Sequence, residues 1–345
     1  MTFSRILVTG AAGFIGSNFV RRVPASWPDT AVVAFDALTY AGNLENLADC
    51  ASDNRCRFVR GDICDEEVLK PLFAEGFDAV VHFAAESHVD RSILGAKAFV
   101  QTNVMGTQVL LDLARSHGVG RFLQVSTDEV YGSLGPAGSF TETTPIAPNS
   151  PYSASKAAAD LLVQAYHHTF NFPTLITRCS NNYGPYQFPE KLIPLFVTNL
   201  LEGRKAPLYG DGLNVRDWVH VADHCEAILC VLKRGKPGGV YNIGGRCELP
   251  NIEIARRILK HLGRDESSIE YVRDRPGHDR RYAMDISRIE KELGWRPRIE
   301  FERGIGETID WYVANESWWR RIKSGEYLTY YEKQYGEGGV VGKTK

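Results

Sequence analysis

A doubly wound α/β fold on a parallel sheet, with a smaller C-terminal α/β substrate-binding domain, is predicted by three features of this 345-residue sequence. Short apolar runs rich in β-branched residues alternate with helix-period segments through the first half. Glycines at 10, 13 and 16 lie between the first run and the first helical segment. Asp36 closes the second run, 20 residues after Gly16. A dinucleotide-binding crossover needs this combination of turn, helix N-terminus and distal carboxylate.

Composition agrees. Hydrophobic residues are 43% and charged residues 24%, an ordinary globular mix with material for a sizeable core. The formal net charge of −2 argues against a general nucleic-acid or membrane surface. Strand-like residues begin at Arg5 with no basic and apolar leader before them, and no apolar run approaches a membrane span. A cytoplasmic location is therefore expected. The seven cysteines (Cys50, Cys56, Cys64, Cys179, Cys225, Cys230, Cys247) form no C-x-x-C pair, and reduced thiols are expected rather than disulfides or zinc ligands.

In chain order, Ile6-Leu7-Val8 reads as a buried parallel strand. The helical pattern from Ser17 stops at Pro24. Between them the glycines permit a tight turn, close backbone approach to a pyrophosphate and a helix N-terminus facing the anion. Ala31 to Phe35 is the second strand. Asp36 at its end can accept hydrogen bonds from an adenosine ribose and repels a 2′-phosphate, so NAD is expected over NADP. Arg57 to Arg60 is the third strand, followed by Asp62 and Ile63. Asp62 either faces the adenine or only caps the helix from Asp65. Ala79 to Ala85 is the fourth strand, and the small residues after Phe83, Ala84 and Ala85, let backbone lie against a cofactor. Glu86 to Ser92 is then expected as a polar loop at a strand's carboxyl end, where open α/β sheets bind ligands.

Ala96 to His117 is helical in pattern, with Gly118 as C-cap. The fifth strand, Phe122 to Val125, ends in Ser126-Thr127-Asp128-Glu129. Residues 133–149 form a loop; Ser150 then caps a helix with Pro151 in its first turn. Tyr152 and Lys156 fall four apart on one face of it. Thr174 to Thr177 is the sixth strand. From Tyr186 the strict alternation loosens. A strand is expected over Val215 to Val221, a helix over Asp223 to Leu232, a strand over Val240 to Ile243, and helices around Ile252 to Leu262 and Gly304 to Val313. The loop from Arg273 to Asp279 carries two arginines and a histidine, which suits a diphosphate. The Gly- and Lys-rich tail is expected to be flexible.

These residues resemble the extended short-chain dehydrogenase/reductase superfamily, whose nucleotide domain is a Rossmann fold. Thr9 to Gly16 and Tyr152-x-x-x-Lys156 mark the superfamily. Asp36 to Gly42, Ala84 to Asp90, Ser126 to Gly132, Arg216 to His220 and Arg275 to Asp279 look like the dTDP-glucose 4,6-dehydratases within it. The resemblance implies a Rossmann domain over 1–185 with return segments near 215–245, a sugar-nucleotide domain from 186–214 and 246–335, and a flexible 336–345. Matched by motif, Gly10, Gly13, Phe14, Ile15, Gly16, Asp36, Ala37, Leu38, Thr39, Asp62, Ile63, Phe83, Ala84, Ala85, Thr102, Tyr152, Lys156 and Asn182 would hold NAD. Ser87, Thr127, Asn181, Glu190, Lys191, Leu192, Pro207, Tyr209, Arg216, Asn251, Asp274, Arg275 and His278 would hold the nucleotide sugar. It also implies a homodimer pairing the helices at 96–117 and 151–170, with neither nucleic acid nor membrane as partner.

The implied chemistry is sensible for the residues present. A free phenol, with a pKa of about 10, is a poor base at neutral pH. Lys156 beside Tyr152 is expected to favour the phenolate. Tyr152 would then take the O4 proton as C4 is oxidised, with Thr127 on the same oxygen. The new ketone acidifies C5, so Glu129 can act as base there and Asp128 as acid at the C6 hydroxyl. A sugar-nucleotide 4-epimerase needs Tyr152, Lys156 and Thr127 but no such acid–base pair, so Asp128-Glu129 argues against it. A 4,6-dehydratase for another nucleoside diphosphate hexose is a near variant, and a non-catalytic NAD sensor a remote one.

Overall fold

The computed structural model describes residues 2–51 and 53–324. Seven strands form one parallel sheet: β1 (Arg5–Thr9), β2 (Ala31–Asp36), β3 (Cys56–Arg60), β4 (Ala79–His82), β5 (Arg121–Thr127), β6 (Thr174–Cys179) and β10 (Val240–Ile243). Their spatial order is β10-β6-β5-β4-β1-β2-β3. The direction of winding reverses between β1 and β4, which leaves a crevice at the carboxyl ends of those strands. One apolar core, including Phe19, Val20, Val23 and Ile228, packs one face of the sheet. Another, including Leu69, Leu110, Leu113 and Val163, packs the opposite face. Burial on both faces explains why the strands read as continuous apolar runs rather than alternating ones.

The chain between β6 and β10 and beyond it adds two small sheets, where alternation had loosened. β7 (Asn181–Tyr183) runs parallel to β9 (Val215–His220), which pairs antiparallel with β11 (Glu248–Pro250). β8 (Ala206–Tyr209) lies parallel to β12 (Ile269–Val272). A separate core holds this part together, built from Leu195, Phe196, Trp218, Ile254, Ile258, Ile309, Tyr312 and Trp319. Two side chains from the first lobe tie in: Trp318 Nε1 donates to Asn46 Oδ1 at 2.9 Å, and Arg21 stacks 3.9 Å from the Tyr186 ring centre.

Several local expectations change. The first helix runs from Phe14 to Ser26, through Pro24. A proline in the last turn forfeits one N–H bond beside an end that already lacks partners, so the helix continues. Part of the polar loop after β4 is helical, from Val89 to Leu94. The helix expected over 96–117 contains a π-helical stretch, Gln101–Gly106, before it resumes as Thr107–Ser116. Gly118 follows with φ +68°. The expectation of seven free thiols is corrected at one pair. Cys50 and Cys56 form a disulfide with Cα atoms 5.4 Å apart, because the chain turns back between the helix Ala48–Ala51 and β3. The other five cysteines are free. Among the described residues no helix is long and apolar enough to cross a membrane. The tail expectation falls on residues outside those described.

Candidate active site

The crevice is a cavity of about 310 Å³ at the carboxyl ends of β1, β2, β4, β5 and β6. Its floor at β1 is the glycine turn. Gly10 has φ +67°, and a Cβ there would lie 2.5 Å from the Ala84 backbone N. A Cβ on Gly16 would run into the Gly10 carbonyl oxygen. Only glycine lets β4, the turn and the helix approach this closely. The helix starting at Phe14 has Gly13 as its N-cap, no side-chain cap and no acidic residue in its first turn. Its leading N–H groups and dipole are thus left for an anion. Asp36, 8% exposed, accepts from Ala12 N at 2.9 Å and Leu38 N at 2.8 Å. Burial raises its pKa, and the two backbone bonds oppose the rise. These features fit a dinucleotide: a cradle that any Cβ would fill, an uncapped helix end and an anchored carboxylate. Asp62 also lines the cavity, while Asp65, not Asp62, caps the helix Glu66–Phe73. Phe83, Ala84, Ala85, Ala37, Thr39, Ile63, Thr102 and Asn182 line it too. Leu38 does not; it packs on the adjoining core.

Thr127, the last residue of β5, opens a 3-10 turn over Asp128–Tyr131. Its Oγ1 accepts from Glu129 N and donates to Asp128 Oδ1, both at 3.2 Å. The turn throws both carboxylates to the sheet's carboxyl end, and all three side chains line the cavity. Facing them is the helix Pro151–Phe170. Its start is fixed by a capping box in which Ser150 and Ser153 bond each other's backbone N–H at 3.1 and 3.0 Å. Such a cap is worth about 1 kcal/mol. Tyr152 and Lys156 project from its first two turns into the same cavity. Asn103, in the π-helical stretch, bonds Ser155 Oγ at 2.8 Å and the backbone of Glu86 at 2.9 and 3.0 Å, so helix and β4 loop are tied together.

Electrostatics separate the two carboxylates. Burial, then the neighbouring Glu129, pushes the Asp128 carboxyl well above its usual range, against a weaker pull from Arg216. Its Oδ2 is buried with no protein partner. Asp128 is therefore set to keep its proton. Burial also raises Glu129, but three cations, Arg275, Lys191 and Arg216, oppose it. Tyr152 departs from expectation. Burial first, then Glu129, raises its phenol well above 10, with only hydrogen bonding with Thr127 acting the other way among the main influences. Lys156, lowered by burial, turns its ammonium to the Val125 carbonyl at 2.8 Å. The lysine's ammonium is held by backbone, and burial keeps the phenol protonated.

The residues expected to meet the sugar nucleotide divide into two groups. Ser87, Asn181, Glu190 and Lys191 line the cavity, with Lys191 Nζ donating to Ser87 O at 2.8 Å and Arg91 Nε to Glu190 at 3.1 Å. Leu192, Pro207, Tyr209, Arg216, Asn251, Asp274, Arg275 and His278 lie outside its lining. Several of them gather around two aspartates. Asp90 accepts from Tyr209 OH at 2.8 Å and Arg275 Nη1 at 3.2 Å. Asp279 O accepts from Arg216 Nη2 at 2.9 Å. His278 contacts Asp274 at 2.5 Å and is lowered to about 4, by burial and then by Arg275 and Arg216. Pro207 is paired with Glu270 in the β8–β12 ladder, and Asn251 and Leu192 begin helices. Since Arg275 and Arg216 act on Glu129, this second group borders the first. Sequence reading missed Gln187, Phe188, Cys179 and Ser180, which also line the cavity. Cys179 ends the sixth strand and Ser180 follows it, a position at a strand's carboxyl end that could have found them, whereas Gln187 and Phe188 lie further on and had no such signal.

Known proteins resemble this chain throughout. The GDP-mannose 4,6 dehydratase family profile matches residues 7–308. A Streptomyces griseus protein named dTDP-glucose 4,6-dehydratase is 57% identical over 321 residues, 92% of this chain and 97% of that one. One of the same name from Streptomyces niveus is 54% identical over 330 residues, 94% and 97% of the two chains. The crystal structure of the Streptomyces venezuelae dTDP-glucose 4,6-dehydratase DesIV, solved with NAD bound, superposes with TM-score 0.90 at 57% identity, covering 92% of this chain and 100% of that one. The UDP-glucose 4-epimerase of Thermus thermophilus shares the fold more distantly, at 31% identity and TM-score 0.83, over 90% and 99% of the chains. The chain belongs to the family of nucleotide-sugar 4,6-dehydratases that this profile describes, and within it to the dTDP-glucose 4,6-dehydratases.

Proposed function

We infer that this protein converts dTDP-glucose to dTDP-4-keto-6-deoxy-glucose and water, using NAD. One observation carries this reading. Tyr152 with Lys156, and Asp128 with Glu129, line a single cavity that also contains the glycine turn. NAD, when bound, supplies a cationic ring that takes hydride from C4 and returns it to C6. Tyr152 takes the O4 proton, with Thr127 holding the same oxygen. Glu129 removes the C5 proton that the new ketone has acidified, and a proton returns to C5 once hydride has reached C6. Asp128 gives its proton to the leaving C6 hydroxyl, which departs as water. An epimerase has no use for a protonated and an ionised carboxyl side by side, and this pair favours the dehydratase reading. Incubation with dTDP-glucose is expected to give a 4-keto product absorbing in alkali. Formation of the 4-epimer instead would support the epimerase, and an unchanged sugar a sensor.

The opposed proton states predict pH dependence. Glu129 works only when ionised, so elimination rises as pH climbs past its raised pKa. Asp128 works only when protonated, so elimination falls as pH passes its own, still higher, pKa. The result is a bell. Asp128→Asn keeps a hydrogen-bond donor but has no proton to give. Water loss should fall about a hundredfold and the alkaline limb should vanish. An unaltered alkaline limb in Asp128→Asn would reassign the acid.

Asp36→Ala is expected to cut NAD retained through purification about tenfold, the equivalent of about 1.4 kcal/mol. Equal cofactor content in both proteins would count against Asp36 as the ribose partner. The homodimer is proposed on the same footing. It is supported by exposed apolar side chains on the two segments expected to pair: Val100 and Met105 on one, Leu161 and Phe170 on the other. A solution mass of one chain would remove it. A cytoplasmic location completes the reading.

A further inference from the structure

Behind the cavity lies a buried polar network that the reaction itself does not use. Arg178, on β6, is 2% exposed, and Asp160, on the helix bearing Tyr152 and Lys156, is fully buried. Arg178 Nε donates to Asp160 Oδ2 at 2.8 Å, while its Nη1 donates to Tyr131 OH at 3.0 Å. Tyr131 closes the 3-10 turn that carries Asp128 and Glu129. Its hydroxyl donates onward to Asn242 Oδ1 on β10 at 2.8 Å, and Asn242 Nδ2 donates to Phe140 O at 3.0 Å. The Tyr131 ring stacks on Phe140 with centroids 5.0 Å apart, and the Arg178 guanidinium lies 4.8 Å from the ring centre. Burial pushes the Tyr131 phenol up to about 12, so it remains a donor throughout the working pH range.

Arg178 thus grips both halves of the site. One arm of its planar fork holds Asp160, which follows Lys156 by one helical turn and Tyr152 by two on the same face. The other arm holds the turn of the two carboxylates. A lysine donates from one point on a shorter stem and lacks the planar fork that spans both partners. Burying an arginine and an aspartate is costly, and hydrophobic replacement of such a pair is often neutral or stabilising. Fold stability alone gives little reason for it.

We propose that Arg178 and Tyr131 are positioning residues that fix the Asp128–Glu129 turn against the Tyr152–Lys156 helix, so that elimination follows C4 oxidation without the sugar having to shift. This rests on the dehydratase reading above. Neither residue lines the cavity that the four reacting side chains share, and both are buried behind it. Their loss should therefore divide the two chemical steps. Tyr131→Phe deletes one oxygen and frees the turn, while the oxidation pair stays anchored through Asp160. Arg178→Lys keeps the charge opposite Asp160 but loses the fork that spans Asp160 and Tyr131.

The test adds dTDP-glucose to each purified holoenzyme in deuterium oxide. It follows dihydronicotinamide absorbance and deuterium entry at C5. Deuterium entry is expected to fall about tenfold in both variants, with C4 oxidation within about twofold of wild type, so that reduced nicotinamide accumulates where wild type shows little. A loosened fold that merely lost active molecules would lower both signals by one factor. That outcome, or wild-type values for both, overturns the proposal. If Arg178→Lys does not fold, Tyr131→Phe decides alone. A wild-type protein that forms no 4-keto product from dTDP-glucose refutes the functional reading first and this inference with it, a result distinct from any variant behaviour.

Discussion

Glu129→Gln is expected to lower overall turnover about a thousandfold while leaving nucleotide-sugar binding within about threefold of wild type. The amide matches the carboxylate in size and cannot accept the C5 proton. Oxidation at C4 asks nothing of Glu129, so the variant should oxidise the sugar once and then stall. Stalling has a signature: the absorbance of reduced nicotinamide rises on mixing and persists, and no deuterium enters C5 from solvent. The substitution also removes a negative charge that raises the Tyr152 phenol, so C4 oxidation should be no slower than in wild type. Deuterium entry at C5 in Glu129→Gln at the wild-type rate would take the base role away from this residue. The cations around Glu129 sharpen the expectation. Arg275, Lys191 and Arg216 would face a neutral amide, and sugar-nucleotide anions would meet more positive charge than before, so binding should not weaken.

The sheet and the first ligand turn were legible because the signals are local. β1, β2, β4, β5 and β6 are apolar runs that stay buried on both faces, and the glycine turn is fixed by contacts among residues 10, 16 and 84. The capping box at Ser150 and the helix it starts were likewise written within four residues. The later chain was harder for a physical reason. The helix Leu192–Leu201 is buried along most of its length, so it has no polar face and no helical period to read. The stretch 181–183 pairs with β9 across more than thirty residues, and three-residue strands have too little alternation to announce themselves.

The site itself was legible as chemistry and not as electrostatics. Adjacent carboxylates at a strand end, and Tyr and Lys one turn apart, are sequence patterns. That Asp128 sits deeper than Glu129, and that Arg275 and Lys191 act on Glu129 while Arg216 acts on both, depends on packing. The same holds for Lys156, whose ammonium is held by the Val125 carbonyl. Spacing placed it beside Tyr152 but could not say where its nitrogen points. The Cys50–Cys56 disulfide belongs with these cases, since a gap of five residues between cysteines is compatible with either state until the turn is known.

That orientation of Lys156 gives Tyr152→Phe its force as a test. Burial and Glu129 hold the phenol protonated, and the lysine does not relieve it. The cationic ring of bound NAD would favour the phenolate, with Lys156 among the residues that would hold the cofactor beside it. Phenylalanine fills the same space and cannot take the O4 proton. C4 oxidation should fall about a thousandfold with sugar-nucleotide binding within about threefold, and mixing should give no reduced-nicotinamide signal, the reverse of Glu129→Gln. Below the lowered Lys156 pKa, wild-type oxidation should rise with pH as the phenol ionises; the residual rate in Tyr152→Phe should be flat over that range. C5 exchange should vanish as well, although Glu129 is intact, because no ketone forms to acidify the carbon. A phenylalanine variant that still exchanges C5 protons at the wild-type rate would break the order of steps, placing proton removal before oxidation, and no arrangement of Asp128 and Glu129 could then restore it.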